Sequence, residues 1–130
     1  MPRIHHLALW TRDLDRVCDF YARTFDARVG DLYENRAKGF ASRFLSFDDG
    51  ASIEVMASTA LSLERQEPGR QRLGFTHVAI SLGSEQAVDS LARRLQEQGV
   101  EVVDGPRRTG DGYYECVVLD PEGNRVEVTA

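Results

Sequence analysis

The stretch Gly74-Phe75-Thr76-His77-Val78-Ala79-Ile80-Ser81-Leu82 decides how the chain is read, because it has an echo near the other end, Ile4-His5-His6-Leu7-Ala8-Leu9-Trp10. Placing His6 on His77 also places Leu7 on Val78, Ala8 on Ala79 and Leu9 on Ile80. A second pair of segments repeats at nearly the same offset: Gly50-Ala51-Ser52-Ile53-Glu54-Val55-Met56-Ala57 and Gly123-Asn124-Arg125-Val126-Glu127-Val128-Thr129-Ala130. Self-similarity at a near-constant spacing marks a duplicated structural unit. Each copy opens on a strand that carries a histidine and closes on one that carries a glutamate.

Both copies fit within 130 residues, of which 42% are hydrophobic, enough for one ordinary domain with a real core. A net charge of −5 and a pI near 5.2 argue against nucleic acid as a partner, since phosphate-binding surfaces concentrate positive charge. The short basic pieces Arg70 with Arg72 and Arg107 with Arg108 read as solvated loop charges. Two cysteines, Cys18 and Cys116, make no disulfide framework, so a reducing, cytoplasmic setting is expected. Met1-Pro2-Arg3 leads directly into a strand pattern without the features of a signal peptide, and no apolar run is long enough to span a bilayer.

Alternation over residues 4–10 puts Ile4, His6, Ala8 and Trp10 on one face and His5, Leu7 and Leu9 on the other. Asp13 is placed to cap a helix whose apolar stripe is Leu14, Val17, Cys18, Tyr21 and Phe25, widened by Phe20. Strands are expected over 27–34 and 39–48. The Asp48-Asp49-Gly50 turn then delivers a strand over 52–56 in which Glu54 faces away from Ile53 and Val55. Residues 58–73 lack strand alternation and read as a linker. The plan then repeats: a strand over 74–82, a helix capped by Ser84 with Ala87, Val88, Leu91 and Leu95 inward and Gly99 as its stop, and strands near 100–104, 113–119 and 124–129. The expected fold is α+β, two tandem βαβββ modules over 4–57 and 74–130, forming a curved mixed sheet with the helices on its outer face.

Helices on one face leave the other for chemistry. Alternation assigns His6, Glu54, His77 and Glu127 to that uncovered face, at matching places in the two modules. Carboxylates among apolar neighbours are costly to desolvate without a partner, and a divalent cation removes that cost for all four groups together. Two imidazoles and two carboxylates suit an octahedral metal with water in the open positions better than a closed structural zinc site. His5, on the opposite face by alternation, reads as structural or as a support to the site.

The patterns His6-Leu7-Ala8-Leu9, Ser52-Ile53-Glu54-Val55, His77-Val78-Ala79-Ile80 and Asp120-Pro121-Glu122-Gly123-Asn124-Arg125-Val126-Glu127-Val128 together resemble the vicinal oxygen chelate superfamily, which includes glyoxalase I, bleomycin-resistance proteins and extradiol dioxygenases. The resemblance covers the whole chain, residues 1–130, as one domain. With a glutamate closing the first module, the pattern is most similar to glyoxalase I-like members. That likeness implies a metal-dependent lyase or isomerase using one divalent ion, of nickel, zinc, cobalt, manganese or iron. The metal chelates adjacent substrate oxygens while a carboxylate moves a proton through an enediolate-type intermediate. Glu127 matches the family's catalytic carboxylate, and Glu54 is its pseudo-symmetric twin.

Where glutathione-dependent members carry an arginine after the first ligand this chain has Trp10, and where they carry an asparagine after the second it has Ser58, so a different, less charged small-molecule substrate is expected. Trp10, Tyr113 and Arg125 are the candidate substrate contacts. The resemblance further implies a homodimer, and the lack of a long apolar run predicts no membrane partner. An Fe(II)-dependent dioxygenase and a non-catalytic antibiotic-binding protein are the competing readings.

Overall fold

The computed structural model describes every residue except 63, 65, 66 and 68–70, so part of the expected 58–73 linker lies outside the described residues. The chain divides into two compact units, Met1–Arg65 and Gln66–Ala130.

The first unit runs β1 (His6–Trp10), α1 (Leu14–Phe25), β2 (Arg28–Val29), β3 (Tyr33–Asn35), a short 3-10 turn (Arg36–Lys38), β4 (Phe40–Ser46) and β5 (Ser52–Ser58). Its sheet has the order β1-β5-β4-β2, with β3 also pairing β4. The β1–β5 ladder is parallel and the others are antiparallel, so the sheet is mixed. Asp13 caps α1 by accepting from the Arg16 N–H at 3.1 Å, which satisfies one of the donors a helix start leaves open. The helical stripe buries Val17, Cys18, Tyr21, Thr24 and Phe25. α1 packs on β4 and β5, where Leu45, Ile53 and Val55 meet it fully buried. Burying each such aliphatic side chain is worth about 1.5–3 kcal/mol. This packing fixes which way β5 faces: with Ile53 and Val55 turned inward, Glu54 has only the uncovered side.

The second unit runs β6 (His77–Ser81), α2 (Glu85–Glu97), β7 (Val102–Arg108), β8 (Tyr114–Leu119) and β9 (Arg125–Thr129), in sheet order β6-β9-β8-β7. β6 pairs β9 in parallel, as β1 pairs β5. Ser84 caps α2 through the Ala87 N–H at 3.2 Å, and Val88, Leu91, Ala92 and Leu95 are buried against the sheet with Cys116, Val118, Val126 and Val128. The turn before β9 is organised by buried Asp120. Its Oδ1 accepts from the Glu122 and Asn124 N–H groups at 2.9 Å each, and its Oδ2 from the Asn124 side-chain amide at 2.9 Å.

The α+β class and the repeated helix-bearing module therefore stand, with the strands in two mixed sheets, one per unit. Differences are local. The expected 27–34 strand is broken into two short pieces around Gly30, and β1 and β6 start later than alternation suggested. β7 extends through Gly105-Pro106, a dipeptide that reads as a break in sequence. Two register shifts against β8, between Val102 and Asp104 and between Asp104 and Arg107, accommodate it. Arg107 and Arg108 consequently sit in a strand rather than a loop, and both are paired: Arg107 with Asp104 at 3.1 Å, and Arg108 with Glu85 while also lying over the Tyr114 ring.

Candidate functional site

The duplication is reproduced in backbone register. Ala8 pairs with Glu54 and Ala79 with Glu127, so His6 and His77 each lie two residues from the partner of a glutamate on the adjoining parallel strand. Residues two apart on a strand share a face. Each unit thus presents one imidazole and one carboxylate diagonally across its parallel ladder, on the side away from its helix. In the second unit the two groups meet: His77 Nε2 lies 3.3 Å from Glu127 Oε2. In the first unit His6 instead packs edge-to-face against Phe44, the residue opposite Glu54, at 5.4 Å between centroids. Among the described residues, no three His, Cys, Asp or Glu side chains are gathered where they could hold a metal ion; the predicted four appear as one imidazole and one carboxylate on each unit.

His5 lies beside the first candidate ligand. β1 begins at His6, and the His5 carbonyl just before it accepts from the Ser52 N–H of β5 at 3.0 Å. The His5 and His6 rings turn toward each other, with their Nδ1 atoms 2.8 Å apart and their planes at 84°.

A further carboxyl, missed in the sequence, joins the second pair. Glu115 of β8 and Glu127 of β9 lie on the same face of an antiparallel ladder, offset by two positions, since Glu115 opposes Thr129 and Val117 opposes Glu127. The two side chains share a hydrogen bond, and this with partial burial and the charge of Glu127 pushes the Glu115 carboxyl up to about 7. Arg107, opposite Glu115 on β7, partly offsets the shift. A hydrogen bond between two carboxyl groups requires a proton on one of them, so the pair retains a proton near neutral pH. The sequence signal was available in the 113–119 alternation, but its meaning depends on cross-strand register.

The candidate substrate residues fall out separately. Trp10 ends β1 on the face of His6, 46% exposed, with its ring edge-to-face with Phe40 at 6.3 Å; Phe40 in turn meets Tyr33 at 6.1 Å. The open side of the first unit is therefore aromatic. Arg125 is on the face of Glu127, one alternation before it on β9, opposite His77. Its charge helps hold the Asp104 carboxyl below its ordinary range, after the larger effect of the hydrogen bond from Arg107. Tyr113 is exposed and precedes β8, its backbone carbonyl accepting from the Thr109 N–H at 2.7 Å. Ser58 ends β5 and its Oγ accepts from the Ala60 N–H at 3.1 Å, an internal turn contact.

A βα module built twice, each copy with a histidine on its first strand and a glutamate on its last, defines a paired-module α+β protein. The family model described as Glyoxalase/Bleomycin resistance protein/Dioxygenase superfamily matches residues 3–128, and the chain belongs to that superfamily. It is 32% identical to the uncharacterized protein PA2024 of Pseudomonas aeruginosa over 133 aligned positions, covering 97% of this chain and 86% of that one. Among solved structures, a glyoxylase/bleomycin resistance protein/dioxygenase domain from Frankia sp. EAN1pec superposes with a TM-score of 0.83 at 19% identity, covering 99% of this chain and 91% of that one. The trypanothione-dependent glyoxalase I of Leishmania major superposes with a TM-score of 0.75 at 18% identity, covering 99% and 86%. At such identities the structural likeness speaks for the fold. No helix among the described residues is long and apolar enough to cross a membrane.

Proposed function

We propose that the protein is a metal-dependent lyase or isomerase of the glyoxalase type, with His6, Glu54, His77 and Glu127 as its divalent-metal ligands. The observation that carries this reading is the identical register of the two imidazole–carboxylate pairs, together with the 3.3 Å approach of His77 Nε2 to Glu127 Oε2. The donor set fits the ion: neutral imidazole nitrogens and carboxylate oxygens are ligands for first-row divalent metals. When bound, such an ion supplies a Lewis acid that polarises adjacent oxygens of the substrate.

The chain's own residues account for the rest. Glu127 moves the proton between neighbouring substrate carbons, and its partner Glu115 keeps a second carboxyl in hydrogen-bond contact with it, able to hold a proton near neutral pH. Arg125, on the same face, offers a fixed positive charge for an oxyanion. Trp10, with Phe40 and Tyr33 beside it, offers an apolar, aromatic surface where a charged glutathione arm has no arginine to grip, which favours a small oxygenated substrate of low charge. A homodimer in the cytoplasm completes the reading.

The test is metal analysis of protein purified without added metal, in wild type, E54Q and E127Q, followed by turnover assays on α-hydroxycarbonyl and hemithioacetal substrates with an oxygen electrode. Expected are a bound divalent ion lost or weakened in both variants, a fall of about 10²-fold or more in turnover for E127Q, and no oxygen uptake. Oxygen consumption during turnover moves the protein to the dioxygenase class. Unchanged metal content and ligand affinity in both variants moves it to the binding proteins.

A further inference from the structure

His5 has no role in the reading above, yet it makes the closest side-chain contact to the first histidine of the set. The Nδ1 atoms of His5 and His6 are 2.8 Å apart, within hydrogen-bond distance. A neutral imidazole has one N–H and one bare nitrogen, so a hydrogen bond between two Nδ1 atoms needs one ring protonated there and the other not. Two arrangements satisfy the geometry. If His5 donates, His6 accepts on Nδ1 and carries its own hydrogen on Nε2, leaving no lone pair for a metal. If His6 donates, its Nε2 is bare and keeps a lone pair for a metal. Only the second is compatible with His6 as a ligand, and in it His5 is the acceptor that fixes the tautomer.

The ring packing works in the same direction. His5 meets His6 edge-to-face at 5.1 Å and Phe44 meets it edge-to-face at 5.4 Å, with interplanar angles of 84° and 82°. The imidazole of His6 is thereby held by one hydrogen bond and two ring contacts, though it lies on an exposed edge strand. Metal-ligating histidines commonly donate their second ring N–H to a carboxylate or carbonyl, which orients the ring and raises its basicity. His77 differs: its contact is with Glu127, through Nε2. The two halves of the duplicated set are thus supported unequally.

We propose that His5 is a positioning residue: its Nδ1 accepts the Nδ1–H of His6 and so presents the His6 Nε2 lone pair to the divalent ion. This inference rests on the ligand set proposed above. Its test uses the full chain, Co(II) as probe and the variants H5F, which keeps an aromatic ring but no acceptor, H5Q, whose amide oxygen still accepts, and H6A. Co(II) affinity is read by competition with a chromophoric chelator, and the His6 tautomer by long-range nitrogen–proton correlation spectra of metal-free protein.

Expected are His6 as the Nδ1–H tautomer in the wild type, a roughly tenfold weaker Co(II) affinity in H5F, and recovery in H5Q to within about threefold of wild type. A His6 found as the Nε2–H tautomer, or an H5F affinity equal to wild type, overturns the role of His5. H6A separates the two levels. If it binds Co(II) as the wild type does, or if the wild type binds none, the ligand set itself falls and the role of His5 with it. If H6A loses binding while H5F does not, only the role of His5 falls.

Discussion

Glu115 on β8 and Glu127 on β9 share a hydrogen bond diagonally across an antiparallel ladder, and the Glu115 carboxyl is pushed from its ordinary 4.5 up to about 7, first by that bond, then by burial and by the Glu127 charge. A carboxyl whose folded pKa lies above its unfolded one binds more protons folded than unfolded between the two values. Its contribution to stability is therefore fully present below about 4.5 and is lost as pH rises through about 7. Metal-free wild type at low ionic strength should lose melting temperature across that window relative to E115Q, whose amide stays neutral and still donates to Glu127. Thermal melts from pH 4.5 to 8 make the comparison. A wild-type-minus-variant difference that does not change with pH contradicts the shared proton.

Asp120 is the second place where one side chain organises a site element. It is 4% exposed and accepts from two backbone N–H groups and from the Asn124 amide, which shapes the turn feeding β9 and so the placement of Arg125 and Glu127. Removing the carboxyl leaves those donors without this acceptor, at about 1–3 kcal/mol for a buried unsatisfied group. D120A should lower the denaturant midpoint accordingly. D120N, which keeps one acceptor oxygen, should lose less. Equal losses in the two variants would mean that volume, not hydrogen bonding, holds the turn.

The facing of the candidate residues was legible because they obey period-two alternation inside strands whose other face is pinned by apolar packing. Glu54 between Ile53 and Val55, and Glu127 between Val126 and Val128, had only one face open to them. The contact of His5 with His6 was not legible, because alternation assigns faces and does not report that neighbouring rings turn toward each other. Glu115 was passed over for a different reason. Its partner is set by the β8–β9 register, a long-range quantity that one strand's pattern does not contain. β7 was displaced because Gly105-Pro106 carries a strong local break signal that the bulged pairing with β8 overrides. Local periodicity reports faces; neighbours across a ladder come from tertiary pairing.

The cysteines give a direct check on the packing of the two helix-covered faces. Cys116 is 1% exposed and burial pushes its thiol up to about 11, while Cys18 is 3% exposed and is raised chiefly by burial as well. The thiolate is the reactive form, so both should resist a disulfide exchange reagent at pH 8 in the folded protein and react together in denaturant. Rapid labelling of Cys116 without denaturant would show that the α2 face opens locally.

Gly105 ties the bulge to the chemistry. It sits at φ +73, and a Cβ there would come within 2.5 Å of the Glu115 carbonyl oxygen and 3.1 Å of the Cys116 Cα. Backbone cannot yield as a side-chain tip does, so G105A must shift β7 from β8 besides adopting a left-handed backbone, at a combined cost of about 1–3 kcal/mol. Because Arg107 and Glu115 are opposite one another beside this bulge, the shift should also alter the environment of the Glu115 carboxyl. The expected result is a lower melting temperature together with a changed pH dependence between 4.5 and 7, measured in G105A and in G105A/E115Q. If G105A lowers stability by the same amount at every pH in that window, the bulge is a structural feature alone and does not set the carboxyl pair.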